Sequence, residues 1–379
     1  MSAAPDRTPA VDAGAPPVPD ASAAPAARPS PDRGDAAAPA LLRLGDRVAL
    51  VTNRRAVTVC LVLVVVALAT VLVTLTIGDL GVPLTELPTV LAGGGSRAQD
   101  WVVFTNRLPR LAVGLGAGAA FGVAGAIFQS VTRNPLGSPD VIGLGAGAAA
   151  GAAAAGLVWP GVVPVPVGAL VGAFVAIVAV WLGSGRGFAA PYRMVVTGIA
   201  VGAMALAFVQ LAILRATRED AQVVAAWLNG SLGSRSWSDA ATVAVALVVL
   251  LPLALALSRR LQLVEMGDDA ATGLGVDAGR TRTLAVVVAV LLTGAAVAVC
   301  GPVAFVALTA PQIARRLTRS SGPGMVAAAV TGATLLVLAD LLAQRLPFGV
   351  QYPVGIVTAG LGGVYLAFLL VREWRRGAV

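Results

Sequence analysis

The chain has 379 residues, 57% of them hydrophobic and 12% charged, with a mean hydropathy of +0.86 and a formal net charge of +8. Soluble domains carry about 25% charged residues, so much of this sequence never meets water; a soluble enzyme, a secreted disulfide scaffold and a nucleic-acid-binding domain are excluded. All 27 basic residues are Arg, and without Lys or His the chain lacks the phosphate-gripping lysine of a P-loop and the commonest general base and metal ligand.

Residues 1–40 are Ala, Pro and Asp in irregular order, a composition that buries too little surface to offset its ordering entropy. They are expected to form a disordered cytoplasmic tail, with the membrane domain over 41–379. A short stretch, Leu41–Arg55, leads into the first apolar run, Ala56–Ile77, which follows Arg54-Arg55. That run is too long and too far along the chain for a cleaved signal peptide. Cys60 stands near the start of this run, after Val59 and ahead of most of the apolar residues, so it does not read as a lipid-modified cysteine. A spanning helix takes about 20 apolar residues, and further spans are predicted at 109–131, 140–158, 162–183, 193–214, 240–257, 282–300, 303–317, 324–344 and 353–371. The fold class is all-α: a polytopic integral membrane protein with about ten transmembrane helices. Segment 303–317 is the shortest and ends in Arg315-Arg316. With the N-terminus inside, most arginines beyond residue 40 fall in inner loops, as the positive-inside rule requires, and both termini are expected in the cytoplasm.

Two spans carry small residues every four positions: Gly114, Gly118 and Gly122, then Gly143, Gly147 and Gly151. Such a stripe lets another backbone approach closely, although small residues are common in membrane helices generally. Within the apolar runs Asp340 stands well inside one. Ionisable groups there are functional candidates by default, but one acid does not make a proton relay. A hydrogen bond to a neighbouring helix is the plain reading, because Arg345 lies five residues on, too far along a helix for an ideal pair. No nucleophile has a plausible base, so any driving energy must come from another chain.

The longest inner loop, after the sixth span, reads as more than a turn. Glu265, Asp268 and Asp269 bring negative charge to a side rich in Arg, while Leu261, Leu263, Met266, Ala271 and Leu274 form an apolar face broken by Gly267 and Gly275. Two short helices joined at a glycine on the membrane surface, at about 259–278, fit this pattern. They would form a docking element.

Several motifs, in order, resemble the permeases of iron-siderophore and cobalamin ABC importers, the FecCD-type family, over about residues 55–375. They are Arg107-Leu-Pro-Arg110, Gly125-Ala-Ile-Phe-Gln129, Arg133-Asn-Pro-Leu-Gly-Ser-Pro-Asp140 and Gly267-Asp-Asp-Ala-Ala-Thr-Gly-Leu-Gly-Val276. Further along come Gly301-Pro-Val-Ala-Phe305, the segment through Gln312 to Arg315, Ala339-Asp340 and Pro353-Val-Gly-Ile-Val-Thr-Ala-Gly360.

The resemblance implies a cobalamin-permease-like fold in the bacterial cytoplasmic membrane, surrounded by lipid and paired with a second permease subunit. Two cytosolic ATPases would dock beneath it at Leu261–Gly275, and an extracellular or periplasmic binding protein would deliver the chelate. This chain would bind no cofactor, no metal and no nucleic acid; ATP and Mg²⁺ would be used by the ATPases. Arg107 and Arg110 would sit at the outer rim and hold carboxylates of the binding protein, since guanidinium forks suit them, although arginines at a helix end also simply anchor it. Asn134 and Leu136 would form a cytoplasmic gate with Pro191 and Tyr192, although Pro135 alone also fits a helix stop. Gln312 in place of the usual His, and Gly362-Gly-Val-Tyr365, resemble the catecholate-siderophore branch, which implies an enterobactin-like substrate and a paralogous partner. A cobalamin or haem importer would share the architecture; a proton-coupled transporter would need more buried acids than Asp340.

Overall fold

In hydrocarbon every backbone N–H and C=O must find its partner within the protein, and an uninterrupted apolar run does so as a helix. The computed structural model describes residues 40–44, 48–52, 54–77, 81–185, 187–346 and 352–377. The tail expected over residues 1–40 lies, up to residue 39, outside the described residues.

The described chain opens with an antiparallel hairpin, β1 (Ala40–Leu44) and β2 (Val48–Thr52), pairing Ala40 with Thr52. Among the described residues, every regular element after it is a helix. In order come α1 (Arg54–Thr76), the short α2 (Leu87–Leu91) and α3 (Arg97–Asp100), and a π-helical stretch, Trp101–Arg107, that runs into α4 (Leu108–Thr132). A 3-10 turn (Pro139–Ile142) precedes α5 (Leu144–Ala153), which ends in a π-helical turn, and then α6 (Val165–Gly183), α7 (Pro191–Arg215), α8 (Arg218–Leu228) and α9 (Trp237–Glu265) follow. The remainder is α10 (Asp268–Gly273), α11 (Ala278–Cys300), α12 (Val306–Thr318), α13 (Met325–Arg345) and α14 (Val354–Gly377).

Among the described residues, eight helices are long and apolar enough to cross a membrane. The expected third and eighth spans are the shorter helices: Leu144–Val158, and α12 with 13 residues. Both are shortened at their start, one by the turn at Pro139 and the other by the non-helical segment from Gly301 to Ala304.

Helices in lipid gain little from hydrophobic attraction to one another, so close fit decides which of them meet. The continuous helical stretch Arg97–Thr132, which ends in α4, is 78% buried across its most apolar window, against 11% for α1. It stands at the centre, packed by α9, α11, α12 and α13. A side chain at Gly118 or Gly122 would collide with the backbone of Gly332 or Ala328 on α13, and one at Gly147 or Gly151 with Gly172 or Gly168 on α6. The two expected stripes are therefore contact faces, each with one exception. Gly114 faces the side chains of Leu232 and Val337, and Gly143 lies in the turn ahead of α5, against Gly198 and Gly202 of α7. Exposed apolar residues such as Leu61, Val65, Phe174 and Val248 are free to meet acyl chains.

Candidate coupling and gating site

The loop expected to hold two short helices holds one. α9 continues unbroken to Glu265, so residues 259–265 are its last turns, and only α10 is separate. The reason is that this stretch holds nothing to stop a helix before Gly267. There φ is +127°, and at Gly275 it is +79°, a region in which a Cβ is strained. α10 thus hangs between two positions that favour glycine.

The structure divides the expected coupling residues into two sets. Leu261 and Ala271 are buried, Ala271 against Val264 and Ala278, with Leu263 partly buried beside them. Met266 and Leu274 are 68% and 62% exposed, and Asp268 and Asp269 also reach the surface.

Asp268 is the polar link from this element inward. The Arg282 Nη1 donates to its Oδ2 at 2.8 Å, and the Nη2 groups of Arg282 and Arg133 both pair with Oδ1. The Arg282 side chain is only 5% exposed, whereas Asp268 is 52% exposed. Hydrogen bonding from Arg282, opposed by partial burial and reinforced by Arg133, holds the Asp268 carboxyl at about 2, below its ordinary 3.8.

Arg133 ends α4 in the left-handed conformation, with φ of +49°. Its Nε donates to the Val264 carbonyl at 2.9 Å. The next residues, expected to act as a gate, form a turn. Asn134 Oδ1 accepts the Leu136 N–H at 2.8 Å, and the Gly137 N–H bonds the Asn134 carbonyl at 2.9 Å. The α7 start supplies the other expected gate residues, Pro191 and Tyr192, the latter 81% exposed. A cleft of about 460 Å³ is lined by Arg133, Pro191, Tyr192, Asp268 and Arg282, and a cavity of about 90 Å³ by Asn134, Leu136 and Val195. Residues expected to couple and residues expected to gate therefore share one region.

At the opposite end of α4 the two arginines part company. Arg107 Nη1 donates to the carbonyls of Thr74 and Leu75 at 2.7 and 2.8 Å, satisfying the open end of α1. Arg110 turns into the bundle, which corrects its expected place at the rim. Its Nε and Nη2 grip Asp340 Oδ2 and Oδ1 at 2.8 and 2.7 Å, Gln344 adds a bond of 2.8 Å, and Asp340 is 2% exposed. The fork that would hold a carboxylate from outside already holds one from α13.

The FecCD transport family pattern matches residues 62–372. The chain belongs to the FecCD transport family. Over 325 residues it is 41% identical to the ferric enterobactin transport system permease protein FepG of Escherichia coli K12, covering 86% of this chain and 98% of that protein. It is 35% identical to the Fe(3+)-citrate import system permease protein YfmE of Bacillus subtilis 168, with the same coverage. A solved metal-chelate type ABC transporter, captured in an inward-facing conformation, superposes with a TM-score of 0.75 at 25% identity, over 83% of this chain and 99% of that one.

In this FecCD permease, sequence reasoning overlooked the residues that tie the Asn134–Leu136 turn down. Gln312 Nε2 donates to the Pro135 carbonyl at 2.7 Å, so the residue read only as a branch marker anchors the turn to α12. Gln129 donates to the Leu308 carbonyl at 2.9 Å and accepts from Arg315. Arg282 was read only as one of the inner-loop arginines, and Arg133 only as another of them and as the first residue of a family motif. The available hint was the isolated acidic pair, Asp268-Asp269, on an arginine-rich side.

Proposed function

We propose that this chain is the transmembrane permease subunit of an ATP-driven importer that moves a ferric siderophore of the catecholate, enterobactin-like class into the cytoplasm. The observation that carries the reading is the 41% identity to FepG over nearly the whole of that protein. The joined coupling and gating region supports it in physical terms. α10 and both termini lie on the cytoplasmic side, where Met266 and Leu274 give two ATPase subunits an apolar surface to hold. ATP and Mg²⁺ are used there, by those partners and not by this chain.

Exposed apolar residues on α7 and α14, among them Ile199, Phe208, Ile356 and Val364, suit a second, paralogous permease subunit across a central path. A binding protein on the outer face delivers the chelate near Arg107. Rigid-body tilting then separates Asn134 and Leu136 from Pro191 and Tyr192 and opens the path. A wall with few charges suits a bulky ligand released by geometry.

The test is uptake of radioactive iron in a strain lacking this gene, across siderophore classes. Uptake from catecholates is expected to fail and to return with the gene on a plasmid. A defect confined to ferric citrate, or to cobalamin, would overturn the substrate class.

A further inference from the structure

α10 is held to the rest of the chain by two contacts of different character. Ala271 rests against Val264 and Ala278, a methyl-sized apolar contact that is weak and without direction. Asp268 makes the directional contact, and it reaches two elements at once. One arm, Arg282, is buried on α11. The other, Arg133, is more than a third exposed and immediately precedes the Asn134-Pro135-Leu136 turn, whose residues are exposed as well. With Gly267 and Gly275 at its ends, α10 can be displaced with little backbone resistance. A displacement then meets a fixed anchor on one side and a more loosely held one on the other.

We propose that Asp268 is a positioning residue that passes movement of α10 to the gate turn through Arg133, while buried Arg282 returns the element to its resting place. This rests on the permease reading above. It assigns transmission to one ion cluster rather than to the body of the helices. Arg133 is suited to the task because its Nε also holds the end of α9 at Val264, so the carboxylate pulls on a guanidinium whose other edge is fixed. The gate turn has its own anchor in Gln312, which limits how far it travels.

The test uses the whole complex with its ATPase partners in lipid nanodiscs. Cys60 and Cys300 are replaced by Ser, and Leu136→Cys supplies the one thiol of this chain. The rate of maleimide labelling at that thiol is measured with and without ATP and vanadate, which requires no substrate. Nucleotide is expected to change the rate about fivefold or more, the lower end of an ordinary coupling between two sites. Asp268→Asn and Arg133→Gln should each abolish the change, Asp268→Glu should keep it, and the double variant should lose no more than either single. A normal nucleotide response in Asp268→Asn, or no response in the parent, overturns the proposal. If Asp268→Asn does not assemble, Arg133→Gln decides the question with α10 intact. Failure of iron uptake with a normal labelling response would count against the substrate reading alone.

Discussion

Asp340 is a carboxylate in an apolar helix, and its partners explain how it is tolerated. Removing one member of a buried pair leaves the other uncompensated, at about 3–5 kcal/mol. Asp340→Ala or Arg110→Ala should therefore lower the melting temperature of the detergent-purified chain sharply, while an Arg110→Met, Asp340→Leu double variant should recover much of the loss. An unchanged melting temperature in the single variants would contradict the pairing. Asp268 behaves differently because it is half exposed. Its carboxyl is held at about 2, below the ordinary 3.8, chiefly by Arg282. A lowered carboxyl contributes stability above its unfolded value and loses it as the pH falls through the folded one. The stability gap between the parent and Asp268→Asn should thus stay flat from pH 5 to 8 and close only below about pH 4.

The helices themselves were legible wherever apolar runs are long, because length and hydrophobicity alone decide them. α4 and α5 also showed their contact faces, since glycine spacing records how closely a neighbour comes. Gly122→Val should drive α4 off the Ala328 backbone and cost about 1–3 kcal/mol or more, visible as lost accumulation in the membrane. Gly114→Ala meets only side chains and should be mild. What stayed hidden follows the same logic. α8 is short and carries charges at its start, and the apolar runs of β1 and β2 are only three and four residues long, too short to announce a strand pair. Arg110 was misplaced because a sequence shows the spacing within a helix, whereas its partner lies on another. The loop that carries α10, read as two short helices, and the Asn134–Leu136 turn were both singled out in the sequence, but the clamp that joins them was not. At Gly267 the observed φ of +127° cannot be met by proline, which is fixed near −65°. Gly267→Pro should leave insertion intact and abolish uptake, measured against ATP hydrolysis in the same vesicles.

At the scale of the molecule, α4 joins everything described here. One end carries Arg107 and Arg110, the middle holds the glycine contacts, and the other end becomes Arg133 and the Asn134–Leu136 turn. With no lysine anywhere in the chain, proteoliposomes holding this polypeptide alone should neither hydrolyse ATP nor accumulate ferric enterobactin. Accumulation under those conditions would overturn the permease reading.

The Arg110–Asp340 pair also bears on how the protein is made. Its members are 230 residues apart, and at about 5–20 residues per second the ribosome needs roughly 10–50 seconds to travel from one to the other. Throughout that interval a newly inserted guanidinium sits in or beside the bilayer without its counter-ion. This contact of the amino-terminal half is therefore completed only by a late-arriving segment, α13.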